Sequence, residues 1–453
     1  MSRTPIQAQP PLEFIPPAFN PTLVRGIGAA LPLWLKLKTP LADIEVKHAE
    51  RLAKLYSEFQ VGKARFLVAF RHPSTYDPLC MANLCLREVP RAAQAHNIPL
   101  KGLTGCYFLY DRGVPLWAGS LVGWLMPRVG GISVQRGKLD RQSLRTAREL
   151  FATGDMPFMA APEGGTNGHS EIVGPLEPGV AQMGFWCVED RLAAVLPSVE
   201  VSILPVSIRY SYIDPPWEAL DGLLSEIEVN CGLEKDSKLD RFARLNRIGE
   251  RLLLLVSQFY TRFYQQEITI PSGADFNTRL QALLEASLRV AEQYFNLQAK
   301  GTIIDRCRRI EQAGWERIYR EDLREDLKEA NTLTPVERGL ADRVAEESDL
   351  RMWHMRLVES FVAVTGAYVA EKPSADRFAE VVLIAHKTMQ RLEGVDTFSE
   401  PDLGKKRALV VVGEPISLTQ RWESYKASRQ GAKQAVADLT TTIRTAFETM
   451  IKD

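Results

Sequence analysis

The run Phe66-Leu67-Val68-Ala69-Phe70 constrains this chain more than any other stretch. Five apolar residues in a row, without the polar alternation of a half-exposed strand, describe a strand buried on both faces. Such strands belong to mainly parallel sheets covered by helices. The run ends abruptly in Arg71-His72, and an aspartate follows at Asp77. In open α/β sheets ligands bind just beyond the carboxyl ends of the strands. His72 is the only histidine at such an end with a carboxylate within a few residues, and Asp77 is close enough to hold its imidazole in one tautomer, as a general base requires. Read without context, the pair is equally a loop histidine beside an aspartate that caps a helix.

Other segments extend the α/β pattern. Pro78 to His96 reads as a helix, Ile132-Ser133-Val134 as a short strand, Asp140 to Thr153 as a helix stopped by Gly154, and Pro157 to Ala161 as a strand. Gly179 to Glu189 is helical and Val201 to Ile208 is a strand containing Pro205. Leu41 to Phe59 shows apolar residues near helical spacing and is expected to be one helix. From about Trp217 to Gly404 the periodicity is helical almost throughout: Leu239 to Tyr264, Phe276 to Gln298, Ile303 to Arg320 and Ser374 to Leu392. Thr334-Pro335-Val336-Glu337 combines a capping-box threonine and glutamate with proline at the first helical position, so a long helix should start there. The charged run Glu316 to Glu329 reads as a solvated helix face. Arg407 to Gly413 returns to strand character before a terminal helix near Ala432 to Ile451. A lone buried-type strand needs a sheet to join, and the sheet begun at Phe66 supplies one.

The expected fold is therefore α/β: a mostly parallel sheet flanked by helices, with a large all-helical insertion. The divisions are a 1–40 arm, a 41–214 domain, a 215–404 helical insertion, and 405–453 returning to the domain. At 453 residues the chain exceeds one core. Residues 1–20 are proline-rich and aperiodic, an extended or disordered arm without a secretory signal. Pro21 to Lys38 fits an amphipathic segment at a lipid interface and fits a helix packed on the core equally well. Tyr107 to Val129, with Trp117 and Trp124, reads either as a membrane-contacting or acyl-tunnel region or as a buried helix pair.

Composition excludes some functions. Acidic and basic residues balance at 56 each, so no bulk attraction to nucleic acid is expected. The six cysteines show no paired spacing, which argues for a reducing compartment and against structural zinc. No stretch reaches the length of a spanning helix. GxSxG, HExxH and GxGxxG are absent, and Gly131 to Lys138 fails as a phosphate loop because Leu139 stands where Ser or Thr belongs.

Four pieces remain: His72-x4-Asp77; Gly131-Ile132-Ser133-Val134-Gln135-Arg136-Gly137; Pro162-Glu163-Gly164; and Leu204-Pro205-Val206. In this order and spacing they resemble the blocks of the PlsC-like (lysophosphatidic acid acyltransferase) family of glycerolipid acyltransferases, and Val412-Gly413-Glu414-Pro415-Ile416 resembles that family's last strand. The resemblance covers about Leu41 to Tyr212 and Arg407 to the end. It implies acyl transfer from acyl-CoA or acyl-carrier protein, as donor substrate with no bound cofactor, to a hydroxyl of a lysophospholipid or glycerol phosphate. His72 would be the base, Asp77 its orienting partner, and Arg136, Gly131, Glu163, Gly164 and Thr166 substrate-binding residues. No metal and no nucleic acid are implied, and the protein would sit peripherally on the cytoplasmic side of a membrane. A phospholipid-dependent transacylase and a non-catalytic lipid-binding scaffold of the same fold are the alternatives.

Two positions depart from the family pattern. Pro73 replaces a polar residue in the first block. The third block carries an extra Gly165 and has Asn167 where arginine belongs, so one phosphate contact of a lysophosphatidic acid acceptor is missing. His169, just downstream, is a candidate substitute donor or a loop histidine with no role in the site.

Overall fold

A computed structural model describes residues 6–135, 140–234, 238–323, 333–361, 367–395 and 400–452. They divide into two units. The first takes residues 14–135, 140–214 and 404–452, and the second takes residues 6–13 and those between 215 and 403.

The first unit is built on a sheet of β1 (Leu41–Lys47), β2 (Ala64–Phe70), β3 (Tyr107–Asp111), β4 (Gly131–Val134), β5 (Phe158–Ala160), β6 (Glu200–Tyr212), β7 (Lys406–Val412) and β8 (Ile416–Ser417). The order is β1-β7-β6-β2-β5-β3-β4, with β8 also on β6. Strands β6, β2, β5, β3 and β4 are parallel to their neighbours, while β7 and β8 run antiparallel to β6. This is a mixed, mostly parallel α/β sheet flanked by helices.

The apolar run in β2 serves two cores. Phe66, Val68 and Phe70 pack on one face with helix Ala49–Gln60 and the helix that starts at Asp77. Leu67 and Ala69 point to the other face, against helices Arg141–Thr153, Gly179–Ala193 and Arg429–Lys452. Side chains alternate along a strand, so two covered faces leave no polar position. Burial of each large side chain contributes about 1.5–3 kcal/mol.

Pro205 lies inside β6, where a missing N–H would ordinarily break a ladder. The antiparallel partner changes there: Ser202 and Ile203 face β8, whereas Val206 onward faces β7. Proline falls in the gap spanned by Gly413-Glu414-Pro415, where no donor is needed on that side.

The structure corrects the reading of Leu41 to Phe59 as one helix. Its first seven residues are β1, parallel to β7, and His48 in the left-handed conformation separates β1 from helix Ala49–Gln60. The partner strand lies more than 350 positions later, so no local pattern could report it. Strand β3 was likewise hidden, since its pairing is with β4 and β5. It is followed by helices Val114–Ala118 and Ser120–Arg128. Trp124 is exposed there; the Trp117 side chain is outside the described set. The arm is extended but held: Ile15 N–H donates to Ser133 Oγ at 3.0 Å, and Asn20 caps helix Pro21–Lys38.

The second unit is helical, with Trp217–Asn230, Arg241–Tyr264, Phe276–Phe295, Ile303–Ile318, Pro335–Glu359 and Ala375–Leu392 as its longer members. Thr334 and Glu337 form the expected reciprocal capping box. The charged run from Glu316 continues past Leu323 outside the described residues. Among the described residues no helix is long and apolar enough to cross a membrane. All six cysteines are buried and free.

Candidate active site

Strand β2 stops at Phe70, opposite Val206, while its parallel neighbour β6 continues to Tyr212. The overhang places Tyr210 beside the chain that leaves β2. Arg71 N–H still donates to the Val206 carbonyl at 3.0 Å; His72, the buried Pro73 and Ser74 then turn into helix Asp77–Asn83. The five-residue spacing closes on itself: Asp77 N–H donates to the Ser74 carbonyl, and Ser74 N–H donates to Asp77 Oδ2 at 2.8 Å.

Inside this turn His72 Nδ1 lies 2.8 Å from Asp77 Oδ2. The other carboxylate oxygen, Oδ1, accepts from the Tyr210 hydroxyl at 2.5 Å. Asp77 is fully buried, whereas the His72 side chain is 23% exposed. Burial raises the Asp77 carboxyl above its ordinary value, and the donors from His72, Tyr210 and Ser74 pull it back part of the way. With Asp77 ionised, Nδ1 carries the proton and Nε2 keeps its lone pair, the arrangement of a general base. The Phe70 ring packs edge-on against the imidazole at 5.9 Å.

Arg71 fixes the neighbouring loop. It is fully buried, and its Nε donates to Glu163 Oε1 at 3.2 Å. Its terminal nitrogens donate to the carbonyls of Ser170, His169 and Ile172. Glu163, expected to contact substrate, is turned inward with its side chain only 2% exposed. Its Oε2 accepts from Asn167 Nδ2 at 2.6 Å, and it also accepts from the backbone N–H groups of His72 and Gly174. Desolvation raises the Glu163 carboxyl, with Arg71 as the main opposing influence. Asn167 N–H donates to the His72 carbonyl at 3.3 Å. In this geometry Glu163 and Asn167 brace the backbone of His72.

Of the other expected site residues, Gly164 and Thr166 follow the carboxyl end of β5, whereas Gly131 lies at the opposite, amino end of β4. Gly164 turns the loop after β5 with φ of +71°, and Thr166 is exposed beyond it. Gly131 is buried at the start of β4, where a Cβ would lie 2.7 Å from the Met126 carbonyl oxygen and 2.9 Å from the Tyr110 ring. Packing accounts for that glycine. Arg136 lies outside the described residues; Gln135, the last residue before it, follows the carboxyl end of β4 and binds Asp140 through its N–H. His169 is fully buried and offers Arg71 its carbonyl, so it is not placed as a surface donor.

Arg71 and Tyr210 were not singled out in the sequence. A charged residue directly after a doubly buried run needs a buried partner, and that need was the available signal for Arg71. Tyr210 continues the alternation Leu204, Val206, Ile208 on the face shared with Phe70 and Cys80.

A family model described as Acyltransferase matches residues 43–209. No curated protein and no solved structure matches the chain.

Proposed function

The chain carries an acyltransferase domain of the PlsC-like glycerolipid family over residues 43–209, and from that premise we propose a lipid O-acyltransferase working at a membrane surface. The donor is an acyl thioester, either acyl-CoA or acyl-carrier protein. The acceptor is a hydroxyl of a lysophospholipid or glycerol phosphate, with lysophosphatidic acid the first to try. The observation that carries this reading is the 2.8 Å bond from His72 Nδ1 to a buried Asp77 at the carboxyl edge of the sheet.

His72 Nε2 takes the proton of the acceptor hydroxyl as its oxygen attacks the thioester carbonyl. The tetrahedral intermediate collapses with cleavage of the carbon–sulfur bond, and the imidazolium returns its proton to the departing thiolate. Ester and thiol are the products, without an acyl-enzyme. Asp77 stabilises the imidazolium between the two transfers, and Tyr210 and Ser74 hold Asp77. Glu163 positions His72 through its backbone N–H. Arg136 is assigned to the acceptor phosphate because a guanidinium fork suits it and because it matches the arginine of the family's second block.

The test is transfer by purified protein from acyl-CoA, acyl-carrier protein or diacyl phospholipid to a panel of lysophospholipids and glycerol phosphate, read as free thiol and as new ester by mass spectrometry. Thioester-dependent product that disappears in His72→Ala is expected. Transfer from phospholipid alone, no transfer from any donor, or full activity of His72→Ala overturns the reading.

A further inference from the structure

Helix Pro21–Lys38 buries one stripe, Val24, Gly28, Leu31 and Leu35. At about 100° per residue, Ala30, Leu33 and Leu37 stand opposite that stripe, with Trp34 beside them. All four are exposed. An outer face this apolar has no partner among the described residues of its unit. Its flank carries Arg25 and Lys36, and no acidic residue occurs from Phe14 to Ala42 in a chain whose charges otherwise balance.

On its buried side the helix meets the helical turn Leu84–Glu88, closely enough that a Cβ on Gly28 would sit 3.2 Å from Leu86 Cβ. With helix Val89–Ala95 these segments bound a groove of about 340 Å³ lined by the apolar Val24, Leu86 and Leu103 and by the guanidinium-bearing Arg25, Arg87 and Arg91. Arg91 bonds Glu88 at 2.7 Å, which leaves a net positive groove on the Arg25 flank of the exposed apolar face.

We propose that this groove is a headgroup site for an anionic phospholipid, and that helix Pro21–Lys38 lies in the surface of an acidic bilayer. Charge complementarity selects the occupant: cations beside an apolar, tryptophan-bearing helix face match an anionic headgroup above acyl chains. The groove stands apart from the His72–Asp77 centre in residue and element. The inference rests on the membrane-surface part of the proposed function alone.

Binding is measured without acyl donor, by co-sedimentation of the full chain with vesicles of phosphatidylcholine alone or with phosphatidylglycerol added. Wild type should prefer the anionic vesicles, and added salt should weaken that preference. The triple variant Arg25→Ala, Arg87→Ala, Arg91→Ala should lose on the order of 100-fold in affinity for them, at about fivefold per arginine. Its acyl transfer to detergent-dispersed acceptor should remain that of wild type, which separates the groove from the catalytic reading. Trp34→Ser with Leu37→Ser should weaken binding to both kinds of vesicle. Equal binding of wild type to neutral and anionic vesicles, an unchanged preference in the triple variant, or displacement of the vesicles by an acidic carrier protein overturns the proposal.

Discussion

The Tyr210 hydroxyl donates to Asp77 Oδ1 at 2.5 Å from a strand that overhangs the end of its neighbour. Sequence separates the two residues by 133 positions, and the parallel register of β2 and β6 brings them together. In the proposed mechanism Tyr210 is thus a positioning residue: it touches the carboxylate, and the carboxylate touches His72. Tyr210→Phe removes one of the donors that offset burial, so the Asp77 carboxyl should rise further. The acid limb of kcat/KM, to the extent that it reports this carboxyl, should move to higher pH. A pH–rate profile reads this directly. An unmoved limb with lowered stability would make Tyr210 merely structural.

His72→Ala should lower kcat by about 10²–10⁴-fold, the range of a positioned general base. Asp77→Asn should lose activity comparably, with a different effect on stability. Burial raises the Asp77 carboxyl above its ordinary value. Between those two values the folded protein keeps a proton that the unfolded chain has released. Wild-type stability therefore falls as pH rises through that window and stays at the lower level above it. Urea unfolding of Asp77→Asn should vary less with pH in that window.

Arg71→Ala should behave in the opposite way. It removes a fully buried guanidinium that bonds Glu163 and three loop carbonyls. Removing one partner of a buried ion pair costs about 3–5 kcal/mol. The Glu163 carboxyl, already raised by burial, should rise further without the charge that opposes it. Denaturant unfolding checks the loss, and a cost below about 1 kcal/mol would show that the loop does not depend on this residue.

Gly131→Ala tests whether that glycine serves packing or substrate. A Cβ 2.7 Å from a backbone oxygen forces β4 or its neighbours to shift, at a typical cost of about 1–3 kcal/mol. Stability should fall while KM for the acceptor stays near wild type. A raised KM with unchanged stability would return Gly131 to the substrate side.

Much of the sheet was legible from local pattern because β2 and β5 read as continuous apolar runs and β6, buried along most of its length, as a mainly apolar one. Strands β1 and β3 were not, because an edge-side or half-buried strand owes its existence to partners that local periodicity does not record. The helical block was legible almost throughout, since each helix carries its own apolar stripe and caps, such as Thr334 with Glu337. The site divides the same way. His72 and Asp77 fall within one turn, so their spacing already expressed the contact. Glu163 was found by position, but its inward orientation depends on Arg71, which becomes a partner only once β2 and the loop after β5 are side by side.

By itself the sequence determined the elements whose information is local: the doubly buried β2, the His72–Asp77 turn at its end, and the helix starts and stops. Tertiary structure alone decided which groups surround that turn. Register set Tyr210 on Asp77, and burial turned Glu163 from a surface carboxylate into a brace behind His72. The physical reason is that a side chain's protonation and orientation are set by desolvation and by donors brought from distant strands, and neither is a property of neighbouring residues in the chain.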